Sequence, residues 1–277
     1  MKKPALVALA TAGMLAVAGC TATGDEPSAE PPRLEHIHAL IEDPDTDGLL
    51  IASHTGIYNL SMSGDIDGPI GGHEFDAMGF ALTDDAFLAS GHPGPETPAE
   101  LGSPNLGIIR SDDAGQTWST VSLNGEEDFH VLTTGPDGTV YGVGSTRPDL
   151  LISTDQGRTW ATGATVPMAA LAVTETGLYA ATEAGLQHSS DNGQSFSPLD
   201  DAPLLYALAV GDGVLAGVSP DGMIWTKDTT GVWTEQGTTE GRVEALELLE
   251  DGTIALVDDR GIILVTESGT ELLLPKR

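Results

Sequence analysis

Short apolar segments separated by turns recur along most of this chain. A pattern with a small apolar centre, typically Ala-Leu, appears six times, and each copy is followed by a turn and a further short segment, as in Thr139–Gly142. The six copies begin at His38, Met78, His130, Ala169, Tyr206 and Glu244. Helical periodicity is missing throughout, so the pattern predicts an all-β protein of many short strands.

A second repeat lies between these segments and has the form S-x-D-x-G-x-[ST]-aromatic. It recurs every 36 to 42 residues, with clean copies at Ser111–Trp118, Ser153–Trp160 and Ser189–Phe196 and a looser one at Thr226–Trp233. The Asp carboxylate can accept hydrogen bonds from the backbone N–H groups of a turn, Gly permits a positive φ, and the aromatic ring can pack between sheets. We therefore interpret the motif as structural and assign no catalysis to it.

The motif resembles the Asp-box (BNR) repeat of sialidase-like and sortilin-like β-propellers, and the chain resembles exported bacterial Asp-box lipoproteins. The resemblance implies a single β-propeller over residues 34–277, with the motif on the hairpin between the third and fourth strands of a blade. The six inner-strand copies predict six four-stranded blades. A seven-bladed ring with one undetected blade is the alternative.

Composition limits the partners and the redox chemistry. The 277 residues include 11 Lys or Arg and 42 Asp or Glu, giving a formal net charge of −31, which makes a nucleic-acid partner unsuitable. Hydrophobic residues make up 40% of the chain, enough for a folded core. The single cysteine excludes an internal disulfide framework and a Cys-cluster metal site.

The first 33 residues are predicted to be a targeting segment and a linker rather than part of the folded domain. Lys2 and Lys3 precede an apolar run that ends in Val17-Ala-Gly-Cys20, which resembles a bacterial lipobox. We expect a signal peptide at residues 1–19, a lipid-modified Cys20 and a disordered linker over residues 20–33, which would place an exported protein on the outer face of the bacterial cell membrane. An ordinary signal peptide with a chance cysteine is the alternative.

The histidines are the candidate functional residues. In propellers of the family that this chain resembles, the starts of the first strands and the loops between second and third strands open on one face. His36 and His38 are two apart on one predicted strand, so their side chains should point the same way, roughly 7 Å apart. His73 and Glu74, in the connection entering blade two, are expected on the same face. The predicted ligands of a copper or zinc ion on that face are His36, His38, His54, Met78, His92 and His130.

Further polar residues are predicted at the same channel mouth. They would bind a small polar ligand or a glycan, and they are Asp76, Asp128, Tyr206, Arg242 and Glu244. The long Gly91–Asn105 segment, an insertion beside His92, supports a site there. Ordinary polar lining of the channel is the simpler alternative.

The positions of the arginines indicate whether the chain could be a sialidase. Sialidases hold a substrate carboxylate with three arginines, whereas here only Arg242 occupies a channel-facing position. No catalytic residue is assigned, and we favour a monomeric binding protein anchored to the membrane. The alternatives are a glycoside hydrolase acting at the same face and a protein-interaction scaffold.

Overall fold

The computed structural model describes residues 34–276, which form six four-stranded antiparallel sheets. The predicted leader, Cys20 and linker lie outside these described residues. Within residues 34–276 the only helical segments are two short 3₁₀ turns, Ile70–Gly72 and Ala99–Leu101, and none is long or apolar enough to cross a membrane.

Each sheet is built from four consecutive strands. Sheet 1 contains β1 (Ile37–Glu42), β2 (Gly48–Ser53), β3 (Gly56–Ser61) and β4 (Ile66–Asp67). Sheet 2 contains β5 (Asp76–Thr83), β6 (Ala86–His92), β7 (Ile108–Ser111) and β8 (Ser119–Ser122). Sheet 3 contains β9 (Phe129–Thr134), β10 (Val140–Gly144), β11 (Asp149–Ser153) and β12 (Ala161–Thr165).

The second half of the chain repeats this arrangement. Sheet 4 contains β13 (Ala170–Thr174), β14 (Gly177–Thr182), β15 (Gly185–Ser189) and β16 (Ser197–Pro198). Sheet 5 contains β17 (Ala207–Gly211), β18 (Val214–Val218), β19 (Met223–Lys227) and β20 (Trp233–Thr238). Sheet 6 contains β21 (Ala245–Leu248), β22 (Ile254–Asp258), β23 (Gly261–Thr266) and β24 (Gly269–Pro275).

The hydrophobic core is divided among the interfaces between neighbouring sheets. Each of its six clusters joins one adjacent pair of sheets, and together they close a ring. The cluster joining sheets 1 and 6, for example, packs Ile37 and Leu40 against Ala245 and Leu264. The protein is therefore a six-bladed β-propeller, and the seven-bladed alternative is wrong.

The ring closes without a strand shared between its first and last sheets, because every strand pairs within its own consecutive group. Besides the apolar cluster, two glutamates bridge the closure. The N–H of Ile37 donates to Glu244 Oε2 at 3.2 Å, and the N–H of Glu250 donates to Glu42 Oε2 at 2.8 Å. Glu244 thus has a structural partner on the first blade, next to the predicted site.

The repeated motif forms the turn between the third and fourth strands, as predicted. In the second copy, Ser153 Oγ and the N–H of Thr159 each donate to Asp155 Oδ1 at 2.8 Å, and the N–H of Gly157 donates to Ser153 Oγ at 2.8 Å. The same contacts recur around Asp113 and Asp191. Trp160 stacks on Phe129 with ring centroids 5.1 Å apart, so the motif anchors its hairpin to the core.

Replacing Asp155 with alanine should lower the melting temperature of the propeller by several degrees at pH 7, because the turn loses its hydrogen-bond acceptor. The side-chain hydrogen bond from Thr159 is the main cause that lowers the pKa of Asp155 to about 2 from its ordinary value of 3.8. Its contribution is present above the ordinary pKa and is lost as the pH falls towards 2. The difference between wild type and variant, measured by calorimetry, should therefore shrink below about pH 4. Asp200→Ala, at an exposed position, is the matched control.

Candidate functional site

A central channel with a volume of about 420 Å³ runs between the first strands of the six sheets. Most of its wall is apolar or small, built from Ala, Leu, Val, Ile and Thr side chains. The polar residues that line its mouth are His38, His130, Tyr206, Arg242 and Glu244, all of which were predicted there. Polar groups from distant parts of the sequence therefore meet at one end of the channel.

Three neighbouring blades carry a β-bulge at the start of their first strand. In sheet 1, Ile37 pairs with Ser53 and Ala39 with Ala52, so His38 has no cross-strand partner. The extra residue is Met78 in sheet 2 and His130 in sheet 3. The first strands of sheets 4, 5 and 6 pair without such an interruption. A bulge redirects a side chain, and here it does so at the three histidine- or methionine-bearing positions.

The predicted arrangement of the first two histidines, side by side on one strand, is wrong. His36 and His38 do not alternate along one strand, because β1 begins at Ile37 and His36 has a left-handed φ of 47°. The two rings instead flank His54 from the turn between β2 and β3. Their ring centroids lie 4.9 Å (His36) and 4.7 Å (His38) from that of His54. The three histidines therefore form one contiguous group.

His38, His54 and Asp76 form the first compact set of metal-ligating groups. His38 Nε2 lies 3.2 Å from Asp76 Oδ1, and His54 Nδ1 lies 3.6 Å from Asp76 Oδ2. One ligand atom from each of the three lies within 4.8 Å of the others. His38 Nε2 and Asp76 Oδ1 are both buried, and neither has a hydrogen-bond partner of good geometry. A buried nitrogen and a buried oxygen left facing each other are the donors that a cation would satisfy.

A second group lies next to the first along the ring. Asp128, whose side chain is 2% exposed, precedes β9 and receives two imidazoles on one oxygen. His130 Nε2 lies 2.7 Å and His92 Nε2 lies 3.2 Å from Asp128 Oδ2. His92 is also the cross-strand partner of Asp76, so the two groups share a boundary.

The close imidazoles change the pKa of the ionisable groups at the mouth. Burial acts to raise the pKa of Asp76, but the nearby imidazoles of His38 and His54 outweigh it and hold the pKa below its ordinary value. The hydrogen bond to Asp128 raises the pKa of His130, against the opposing effect of burial. Asp76 thus holds negative charge close to the histidines.

On the opposite side of the mouth, the polar side chains of Tyr206 and Glu244 bond to neighbouring blades. Tyr206 Oη accepts the N–H of Val243 at 2.9 Å and so joins sheets 5 and 6. Glu244 receives Lys276 Nζ at 2.8 Å on one oxygen and the Ile37 N–H on the other. Both residues lie at the mouth as predicted, but their polar atoms are engaged in holding the ring together. Arg242 is exposed there.

Three further predicted features are placed as follows. Met78 is half-buried at the bulge of β5, between the two histidine groups along the ring. The 91–105 insertion is packed rather than extended, since Leu101 is 5% exposed, and it holds His92 through a 3.3 Å contact between Nδ1 and the Pro104 carbonyl. His73 differs from expectation, because its Nε2 lies 2.9 Å from the Gln116 carbonyl, in the motif turn of sheet 2.

The first group offers ligand types that zinc and copper accept. Two imidazole nitrogens and one carboxylate are a familiar three-ligand set, which leaves a fourth coordination position open. Tetrahedral coordination with bonds of 2.0–2.1 Å places ligand atoms about 3.3 Å apart. The imidazoles lie 3.2 Å from one oxygen of Asp76 and 3.6 Å from the other, and all three ligand atoms lie within 4.8 Å of one another. His38, His54 and Asp76 could therefore bind one ion if their side chains drew together.

Comparison with known proteins identifies the architecture. No family model and no curated protein matches the chain. Among solved structures, virginiamycin B lyase from Staphylococcus aureus is 14% identical with a TM-score of 0.55, covering 85% of this chain and 83% of its own. U3-55K is 12% identical with a TM-score of 0.56, covering 89% of this chain and 83% of its own.

A third similar structure is much longer than this chain. An ancestral GH74 enzyme is 14% identical with a TM-score of 0.54 over 87% of this chain, which spans only 38% of that enzyme. At these identities the likeness concerns the fold alone, since one fold serves unrelated functions. Together with the six closed sheets, it identifies the chain as a β-propeller protein.

Proposed function

We propose that this chain is a binding propeller that holds a zinc or copper ion at the channel mouth through His38, His54 and Asp76. The observation that carries the proposal is the buried contact between His38 Nε2 and Asp76 Oδ1, 3.2 Å long and without good hydrogen-bond geometry, with His54 beside it. The donor set of two nitrogens and one oxygen suits zinc and is also accepted by copper. The fourth position would take water or a small polar ligand from the solvent, to which the His54 side chain is 43% exposed.

The location and the family follow as part of the same proposal. The charged start, apolar run and Cys20 of the sequence support an exported protein anchored to the outer face of a bacterial membrane by lipid. The Asp-centred turns support membership of the Asp-box group. A surface protein with an open metal site would meet its ion directly in the surrounding medium.

The proposal is tested by titrating the purified chain, without a polyhistidine tag, with Zn²⁺ and Cu²⁺. Calorimetry should detect binding. A free ion concentration of 100 times Kd should stabilise the fold by about 2.7 kcal/mol, raising the melting temperature by roughly 5–10 °C. The His38→Ala, His54→Ala double variant should lose most of this gain.

His73→Ala is the matched control, because His73 lies outside both groups and bonds a backbone carbonyl. It should bind as the wild type does. Absence of binding heat and of any thermal shift with both ions would refute the metal proposal. An equal thermal shift in the double variant would place the ion elsewhere on the protein.

A further inference from the structure

A second set of two histidines and one aspartate lies one blade further round the ring. Asp128 precedes β9 much as Asp76 begins β5, and His130 is a bulge residue like His38, although His130 shares a blade with its aspartate whereas His38 lies on the blade before Asp76. His92 ends β6 as His54 follows β2. Bulge and loop positions have therefore placed the same donor types at two adjacent blade boundaries.

Asp128 is an almost fully buried carboxylate beside the channel mouth. Its side chain is 2% exposed, and its Oδ1 atom is buried without a hydrogen-bond partner. Burying a carboxylate without compensation is costly, because it gives up strong hydration. The compensating groups here are two imidazoles, both directed at the other oxygen, Oδ2.

His92 has an acceptor at both ring nitrogens. Its Nδ1 lies 3.3 Å from the Pro104 carbonyl, and its Nε2 lies 3.2 Å from Asp128 Oδ2. A neutral imidazole has one N–H, so it satisfies only one of these acceptors. If Nδ1–H donates to the carbonyl, the Nε2 lone pair faces the carboxylate, which is the arrangement of a histidine whose Nε2 binds a metal and whose Nδ1 is oriented by a backbone carbonyl.

We propose that His92, Asp128 and His130 bind a second Zn²⁺ or Cu²⁺ ion, so that the channel mouth is a two-metal site. This inference rests on the proposed function, since it extends that site to a neighbouring ion. The ion takes Nε2 of both histidines and a carboxylate oxygen of Asp128. It replaces the short imidazole–carboxylate contact of His130 and offsets the charge of the buried carboxylate.

Binding the second ion requires the two imidazoles to draw together beside Asp128 Oδ2. The 3.2 Å contact of His92 already matches the spacing of tetrahedral ligands, whereas the 2.7 Å contact of His130 is a hydrogen-bond distance. The nitrogens of His92 and His130 are not within 4.8 Å of each other, unlike the ligand atoms of the first group, so the rings must move by more than an ångström in total to reach the roughly 3.3 Å spacing of tetrahedral ligands. The His130 side chain is 50% exposed and has space on its solvent side, while the buried Asp128 stays fixed.

The test is the stoichiometry of zinc binding to the whole chain. Calorimetric titration, followed by elemental analysis after gel filtration, should give two Zn²⁺ per wild-type chain. Asp128→Asn should give one, and the His92→Ala, His130→Ala double variant should also give one. Asp67→Asn, at an exposed position on β4, is the matched control and should keep two.

The outcomes separate this inference from the proposed function. One ion per wild-type chain, unchanged by the His92→Ala, His130→Ala double variant, would overturn the second site and leave the first intact. Two ions that both survive that double variant would also overturn it. No ion at all would refute both sites together. If Asp128→Asn does not fold, as judged by circular dichroism, the histidine variants decide the question, because both rings are largely exposed.

Discussion

Replacing Asp76 with asparagine is expected to weaken zinc binding at the first site by about 100-fold or more. Asp76 is the only charged ligand of that site, and its two oxygens face His38 and His54. An amide keeps the shape of the side chain but removes the negative charge that offsets a divalent cation. Competition with a fluorescent zinc chelator measures the affinity of this site separately from the number of bound ions.

The control for this change is an exposed aspartate on β4, outside both histidine groups. Asp67→Asn should leave the zinc affinity within a factor of two of wild type. The melting temperature of Asp76→Asn without metal shows whether the variant is folded. Unchanged zinc affinity in a folded Asp76→Asn protein would contradict the assignment of Asp76 as a ligand.

Replacing Glu247 with glutamine is expected to stabilise the propeller strongly at alkaline pH. Glu247 lines the channel between the first strands and is only partly accessible to solvent. Burial raises its pKa from the ordinary value of 4.5 to about 8, against the lowering effect of a hydrogen bond with the backbone of Glu42. Because the folded pKa is the higher one, the fold binds this proton more tightly than the unfolded chain does. Its stabilisation is complete below about pH 4.5 and is lost as the pH rises to about 8.

Glutamine removes this dependence because it stays neutral. At pH 8 the variant should exceed wild type by a few kcal/mol in free energy of unfolding, or roughly 5–15 °C in melting temperature. At pH 5 the two should nearly coincide. Glu271→Gln, exposed on β24, should show no such pH-dependent difference. A parallel pH dependence of wild type and Glu247→Gln would show that Glu247 ionises as an ordinary glutamate.

The fold could be predicted from the sequence because the blades repeat short local patterns. The Asp-centred turns fix one hairpin in each of sheets 2, 3 and 4 through side-chain contacts within a few residues, as around Asp155. The six inner-strand copies then set the number of sheets. Closure of the ring is harder to predict from the sequence, because it depends on contacts of Glu42 and Glu244 with residues about 200 positions away along the chain.

The site was predictable in its residues but not in its geometry. Alternation along a strand placed His36 beside His38, and the bulge at His38 broke that alternation. A partial signal was present in sheet 2, where Gly91 lies opposite the bulge and a Cβ there would collide with the Asp76 carbonyl. Sheet 1 has Ala52 and Ser53 at the corresponding place and gives no such signal.

The division of the histidines into two groups also lay beyond the sequence. It depends on which imidazole reaches which carboxylate, and therefore on the packing of the 91–105 insertion that positions His92. The roles of Tyr206 and Glu244 depend likewise on partners in other blades, Val243 and Ile37. Sequence alone identifies them as polar residues of the mouth, whereas the contacts show that they support the ring.

The most direct measurement is anomalous X-ray scattering at the zinc absorption edge from crystals of the protein grown with Zn²⁺. The proposed function predicts an anomalous peak about 2.0–2.2 Å from His38 Nε2, His54 Nδ1 and an oxygen of Asp76. A crystal containing zinc elsewhere, or none, with those three side chains unligated would contradict it.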